Sequence, residues 1–147
     1  MDFDTYNKLL ESVRKHEGYR NTVYLDTLGK RTVGVGHLCV EDFWEDEKEY
    51  EEKFLMDILQ KDLQSSIDSA EDLCEGLKIS DDAKILIIEM IFQLGKNGVS
   101  KFKNMWSALK QNPPQYDVAA TEMLDSRWAK QTPGRAKEMS DHMMSCA

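Results

Sequence analysis

The sequence predicts an α+β fold, mostly helical and two-lobed: a small N-terminal lobe with a β-hairpin, then a long helix, then a helical lobe. Three observations predict it. Apolar residues recur at helical spacing near the N-terminus and again through most of the chain beyond residue 54. Residues that favour strands concentrate in one stretch, Thr22 to Val35, so any sheet is small. Gly and Pro number only 8 and 3 among 147 residues, which leaves no room for long structureless linkers.

Each element follows from its residues. Phe3, Tyr6, Leu9, Leu10 and Val13 share one face of a helix over 2–16, which stops near Gly18. Val23, Tyr24, Thr32, Val33 and Val35 build the hairpin around a Leu28-Gly29-Lys30 turn. The acidic stretch from Glu41 to Glu52 suits a solvated helix N-terminus, where carboxylates meet the positive end of the helix dipole. Phe54, Leu55, Ile58, Leu59, Leu63 and Ile67 then predict one helix from about 49 to 72. Ser80 caps the next, about 83–94, which is apolar almost all round and therefore buried, and which ends at Gly95. Asn97-Gly98 reads as a turn, 99–110 as a further helix ended by Pro113-Pro114, and 116–124 and 126–131 as shorter helices. Thr132 and Pro133 read as the cap and first position of the last one. The single domain is expected to divide into a small lobe over about 15–52, a linking helix over about 49–72, and a helical lobe over about 73–147 that also takes in the N-terminal helix.

Composition narrows the function. With 41% hydrophobic and 31% charged residues the chain is globular. No apolar run approaches the roughly 20 residues of a membrane span, and the N-terminus lacks the basic and apolar regions of a secretory signal. A net charge of −8 argues against nucleic acid or an anionic membrane as main partner. Three cysteines, Cys39, Cys74 and Cys146, are too few for a disulfide framework and fit free thiols. His16, His37 and His142 form no ligand cluster, so neither metal nor cofactor is expected.

The segment richest in chemistry lies in the first forty residues. Glu17 falls at the end of the first helix, Asp26 at the hairpin turn and Thr32 on the returning strand. Two carboxylates on separate elements can flank one glycosidic bond, one protonated to release the leaving oxygen and one ionised to activate water. A Glu and an Asp nine positions apart establish nothing alone in a chain with 27 acidic residues.

The surrounding blocks supply what the pair lacks. Glu17-x8-Asp26-x5-Thr32 followed by Gly34-Val35-Gly36-His37-Leu38 resembles the active-site signature of the phage-type lysozymes, the endolysin family of the T-even bacteriophages. Met90-Ile91-Phe92-Gln93-Leu94-Gly95 with Asn97-Gly98-Val99 resembles that family's cleft-lining segment. Ser126-Arg127-Trp128, Gln131-Thr132-Pro133 and Arg135-Ala136-Lys137 resemble its C-terminal signature. Together the blocks span most of the chain from His16 to Lys137.

The resemblance implies a lysozyme-like fold and a bacteriolytic muramidase. It cleaves peptidoglycan between N-acetylmuramic acid and N-acetylglucosamine with inversion, Glu17 serving as acid and Asp26 and Thr32 directing water. It further implies that Gly36, Leu38, Phe92, Gln93, Gly95 and Gln131 meet the glycan. Arg135 is then an orienting partner of Glu17, and His37 pairs structurally with Asp62. Trp128 is expected to pack beside the cleft. The expected partner is the glycan strand, and the protein a monomer made in the cytoplasm without a signal peptide that acts on the cell wall, passing to the periplasm if it is a phage endolysin. Departures are an acidic balance, a trimmed small lobe between His37 and Asp62, and Met105 and Glu122 where small polar groups commonly face the sugar. Two alternatives carry their own signatures. A non-catalytic wall-binding or phage structural module would lack an acid or base, and a lytic transglycosylase would tolerate Asp26→Asn and leave anhydro products.

Overall fold

The computed structural model describes residues 1–146. Among them seven helices and one antiparallel three-stranded sheet follow in the order α1 (Phe3–Glu17), β1 (Arg20–Leu25), β2 (Arg31–Gly34), β3 (His37–Leu38), α2 (Glu52–Leu73), α3 (Asp81–Ser100), α4 (Lys103–Leu109), α5 (Tyr116–Met123), α6 (Arg127–Gln131) and α7 (Pro133–Met144). This is the mostly helical α+β fold that the patterning predicts. Two compact units emerge, Met1–Ser65 and Ser66–Ala147, and α2 runs from the first into the second. No helix of the described residues is long and apolar enough to cross a membrane.

In the first unit, α1 opens on Asp2, whose carboxylate accepts the Thr5 N–H at 2.8 Å and so satisfies one of the orphan donors of a helix start. Its inner face buries Leu9 and Val13, whereas Phe3 stays 78% exposed at the first turn. The hairpin gains a third strand, in the order β1-β2-β3, with Tyr24 opposite Thr32 and Thr32 opposite Leu38. A bulge between Arg20 and Tyr24 bends β1 before this row.

The acidic stretch departs from expectation. Only Glu52 lies in the first turn of α2, and residues 41–51 instead form a strap folded over the sheet. Trp44 explains why. It buries its ring with Val33 and Leu55, against Tyr50, Met56 and Ile58, among Phe43, Tyr50 and Phe54 at 4.7, 4.8 and 5.9 Å between centroids. Burying an aromatic of this size is worth about 2–3 kcal/mol, more than charge–dipole interactions that amount to about 1 kcal/mol at most on an exposed helix end. Polar contacts then fix the strap: Arg31 pairs with Asp46 at 2.9 Å and donates to the Trp44 carbonyl, and Tyr50 O–H accepts the Glu45 N–H.

His37 ties the strap to α2. Its Nδ1 lies 2.7 Å from Asp62 Oδ2 and its Nε2 2.9 Å from Glu41 Oε1, and the same Glu41 oxygen accepts the Trp44 indole N–H at 2.8 Å. The bond to Asp62, aided by Glu41 and opposed by burial, raises the His37 pKa from 6.5 to about 9. A group protonated more tightly in the folded state stabilises it fully below its unfolded value and loses that contribution as the pH rises through its folded value. Stability to urea is therefore expected to hold near pH 6 and to fall by about 2 kcal/mol between pH 7 and pH 9.5, allowing for the partial exposure of both carboxylates. A His37→Asn variant, measured across the same range, is expected to show no such decline.

In the second unit Ser80 caps α3 as expected, accepting the Ala83 N–H at 3.2 Å. α3 does not end at Gly95. It kinks there at φ +80°, a left-handed conformation that costs glycine nothing, and continues through Asn97-Gly98 to Ser100. The predicted turn and the start of the 99–110 helix are thus part of α3, and α4 begins only at Lys103. Thr132 starts α7 without a side-chain cap, because its hydroxyl donates backwards to the Trp128 carbonyl at 3.0 Å. α7 packs against α3, α5 and α6. Its Ser140 donates to the Ala120 carbonyl, and Trp106 donates to that of Val99. Each donation relieves a buried polar group that would otherwise be costly.

Candidate active site

Three carboxylate and hydroxyl side chains of the first unit flank or join the sheet: Glu17 ahead of β1, Asp26 just after it and Thr32 on β2. Glu17 is the last residue of α1, since Gly18 turns the chain away with its N–H still bonded to the Arg14 carbonyl. Gly36, at the β2–β3 turn, comes so close that a β-carbon there would stand 2.9 Å from Glu17 Oε2 and 3.2 Å from its Cδ. Its φ of +68° compounds the exclusion of larger residues. Gly36→Ala is expected to cost about 1–2 kcal/mol in stability but about a hundredfold in turnover, because it displaces the carboxylate. A melting curve alongside a rate assay separates the two losses.

Asp26 closes the hairpin turn. Its Oδ1 accepts the N–H groups of Leu28 and Lys30 at 2.9 and 2.8 Å, and its own N–H donates to the Lys30 carbonyl at 2.9 Å. That carbonyl also receives the Thr32 hydroxyl at 2.9 Å. Asp26 and Thr32 are thereby fastened to one peptide group. With its hydrogen given to Lys30, Thr32 Oγ1 offers lone pairs only, and with Oδ1 filled, Asp26 offers Oδ2. Two acceptors held in fixed relation can hold a water by both its hydrogens.

Tyr24 was not among the residues that the sequence singled out. It lies opposite Thr32, and Arg20 stacks on its ring at 4.8 Å. Burial raises the Tyr24 pKa above 10.0, and the charges of Glu17 and Asp26 raise it further against the opposing pull of Arg20. The phenol thus feels the charge of each carboxylate. Its placement on β1, two residues before Asp26, was the available signal. Leu38, partly exposed, completes the row beyond Thr32.

The remaining named residues lie in the second unit. Phe92 and Gln93 are half-buried on α3 before the Gly95 kink, and Gln93 Oε1 is buried without a hydrogen-bond partner. Gln131, at the end of α6, lines a concavity of about 660 Å³ together with Leu94, Met105, Glu122 and Trp128. Trp128 packs edge-to-face on Phe102 at 6.0 Å. Arg135 on α7 stands 3.7 Å from Glu89 Oε1, a carboxylate only 5% exposed on α3. Glu89 was also missed, read only as an interruption of an apolar run. No group of three or more His, Cys, Asp or Glu among the described residues is arranged to hold a metal ion.

The phage lysozyme family model matches residues 14–141. The chain is 29% identical to a probable T4-type lysozyme 1 of Dictyostelium discoideum and 25% identical to probable T4-type lysozyme 2 of the same organism, in each case over 90% of this chain and 91% of the relative. It is 28% identical to the pre-baseplate central spike protein Gp5 of Enterobacteria phage T4, over 90% of this chain and 27% of that protein. With a match that runs from the last turn of α1 to the last helix, the chain belongs to the phage lysozyme family.

Proposed function

We propose that this protein is a muramidase that hydrolyses the β-1,4 bond between N-acetylmuramic acid and N-acetylglucosamine in peptidoglycan, with inversion, and so lyses bacterial walls. The observation that supports the proposal most is the shared Lys30 carbonyl, which accepts both the Asp26 N–H and the Thr32 hydroxyl and suits a reading of the two side chains as a pair of water acceptors. A lytic transglycosylase has no use for such a pair, because its nucleophile is the sugar's own hydroxyl.

In this reading Glu17 gives its proton to the glycosidic oxygen as the bond from that oxygen to the anomeric carbon breaks. Water held by Asp26 Oδ2 and Thr32 Oγ1 attacks the anomeric carbon from the opposite face and passes its proton to Asp26. Exchange of protons with solvent restores both acids. An inverting geometry needs carboxyl groups about 6.5–9.5 Å apart, enough to admit the water. Gly36, Leu38, Phe92, Gln93, Gly95 and Gln131 are proposed to meet the glycan. The unpartnered Gln93 oxygen suits a sugar hydroxyl, and Phe92 suits an apolar sugar face. Arg135 is proposed to orient Glu17, with the Glu89 carboxylate offsetting its charge. The same proposal has the chain made in the cytoplasm and reaching the wall once a membrane is breached.

The masses of the digestion products test the proposal. Fragments heavier by one water and ending in reducing sugars are expected. Anhydro-sugar ends would assign a transglycosylase instead, and undigested glycan would assign a binding module.

A further inference from the structure

The strap holds nearly all of the chain's charge imbalance. Of the chain's 27 carboxylates eight, and of its 19 cations one, fall within residues 41–52, a net −7 there and −1 elsewhere. Asp42, Glu47, Glu49, Glu51 and Glu52 are exposed and join no ion pair among the described residues. Two aromatic rings flank these carboxylates in sequence and meet in space. Phe43 on the strap is 50% exposed and Phe54 on α2 is 41% exposed, with their centroids 6.3 Å apart. Both lean on Trp44, which is itself fixed in the core of this unit.

Exposed aromatics in contact with each other on a fixed support suit docking, because rings already held in place lose little freedom when they are covered. The charge decides what covers them. A second copy brings its own −7 to the contact and is repelled, as are nucleic acid and anionic membranes. No group of three or more metal-binding side chains among the described residues is arranged around a cation, so the carboxylates are not gathered as an ion cage. A charge that served solubility alone would be spread over the surface rather than confined to one strap. What fits is a polypeptide segment with lysines or arginines beside an apolar stripe. Its cations meet carboxylates and the faces of the two phenyl rings. Apolar side chains three or four positions apart on a helix stand about 5–6 Å from each other, close to the spacing of the rings.

We infer that Phe43 and Phe54, with the carboxylates beside them, form a docking face for a cationic amphipathic helix of another protein. The apolar stripe of that helix covers the two rings, and the basic residues on its flanks meet Asp42, Glu49 and Glu51. The inference stands apart from the muramidase reading, since none of these residues is assigned to the glycan or to the attacking water. It also gives the acidic balance of the chain a use that a cell-wall substrate does not supply.

Fluorescence anisotropy tests the inference, with the intact protein titrated into a labelled peptide of leucine and lysine whose leucines recur at helical spacing. Salt is held at about 0.15 M, where exposed charges more than about 8 Å apart are largely screened. Saturable binding is expected, at least about tenfold tighter than for a peptide of the same composition scrambled to have no apolar face. Phe43→Ser is expected to remove most of that advantage. The triple substitution Asp42→Asn/Glu49→Gln/Glu51→Gln is expected to weaken both peptides about fivefold, as the loss of three exposed pairings implies. Glycan cleavage is expected to be unchanged in both variants. If Phe43→Ser lowers the melting temperature, the triple variant, confined to exposed carboxylates, and the comparison of the two peptides on the unaltered protein carry the test. Absence of binding, equal binding of the two peptides, or binding indifferent to the triple variant would each overturn the inference. Self-association of the protein alone in sedimentation, lost on Phe43→Ser, would assign the face to a second copy and overturn it as well.

Discussion

Glu17→Gln is expected to lower glycan hydrolysis about a thousandfold or more while leaving the melting temperature nearly unchanged. The substitution keeps the size of the side chain and so respects the close approach of Gly36, within 3.2 Å of the Glu17 Cγ and Cδ for an added β-carbon. What it removes is the transferable proton. Positioned acid catalysis is worth about 10²–10⁴ in rate, and a sugar alkoxide is too poor a leaving group to depart unprotonated. Release of reducing ends from purified wall fragments provides the rate, and a thermal melt provides the control. A loss of only a few-fold would mean that another group supplies the proton.

Arg135→Ala is expected to destabilise the protein by about 3 kcal/mol or more, one of the largest effects of any single substitution outside the apolar core. Glu89 is almost wholly buried, and Arg135 at 3.7 Å is its ion-pair partner. Glu89 Oε1 makes no hydrogen bond, so removing the guanidinium would leave a buried charge with no nearby compensation. The penalty belongs to the orphaned carboxylate more than to the lost contact. Glu89→Gln in the Arg135→Ala background is therefore expected to recover at least half of it, read from urea unfolding of the two single variants and the double. A double variant no more stable than Arg135→Ala would assign the loss to the packing of the arginine stem instead.

The parts of the fold that were legible in the sequence are those where local pattern and tertiary burial agree. α1 and α2 carry their apolar residues at helical spacing, and the bounds of α2, Glu52–Leu73, fall close to those that the spacing predicts. Ser80 reads as a cap and acts as one. The strap was illegible because its many glutamates favour a helix locally, whereas Trp44, a single residue with no periodic partner, decides its conformation by burial against Val33 and Leu55. The continuation of α3 was illegible for a similar reason: Gly95 punctuates the sequence, but a glycine with positive φ can bend a helix as readily as end it. Thr132 shows how a side chain suited to capping can find a stronger use, here the Trp128 carbonyl.

In the candidate site, the hairpin could be read because its turn residues set the register that brings Asp26 and Thr32 together. Tyr24 and Glu89 were not singled out. Their significance comes from neighbours on other elements: Glu17 at the end of α1 for the tyrosine, and Arg135 on α7 for the glutamate. A carboxylate within an apolar run is a signal that something elsewhere must compensate it, but the run itself does not say what.

The stereochemistry of the first-formed product tests the central assignment most directly. Proton NMR during digestion of a β-linked glycan is expected to show the α-anomer of the new reducing end appearing first and then equilibrating, as attack by water held at Asp26 and Thr32 on the face opposite Glu17 requires. Initial appearance of the β-anomer would instead require a covalent or substrate-assisted intermediate and would contradict the role given to that water.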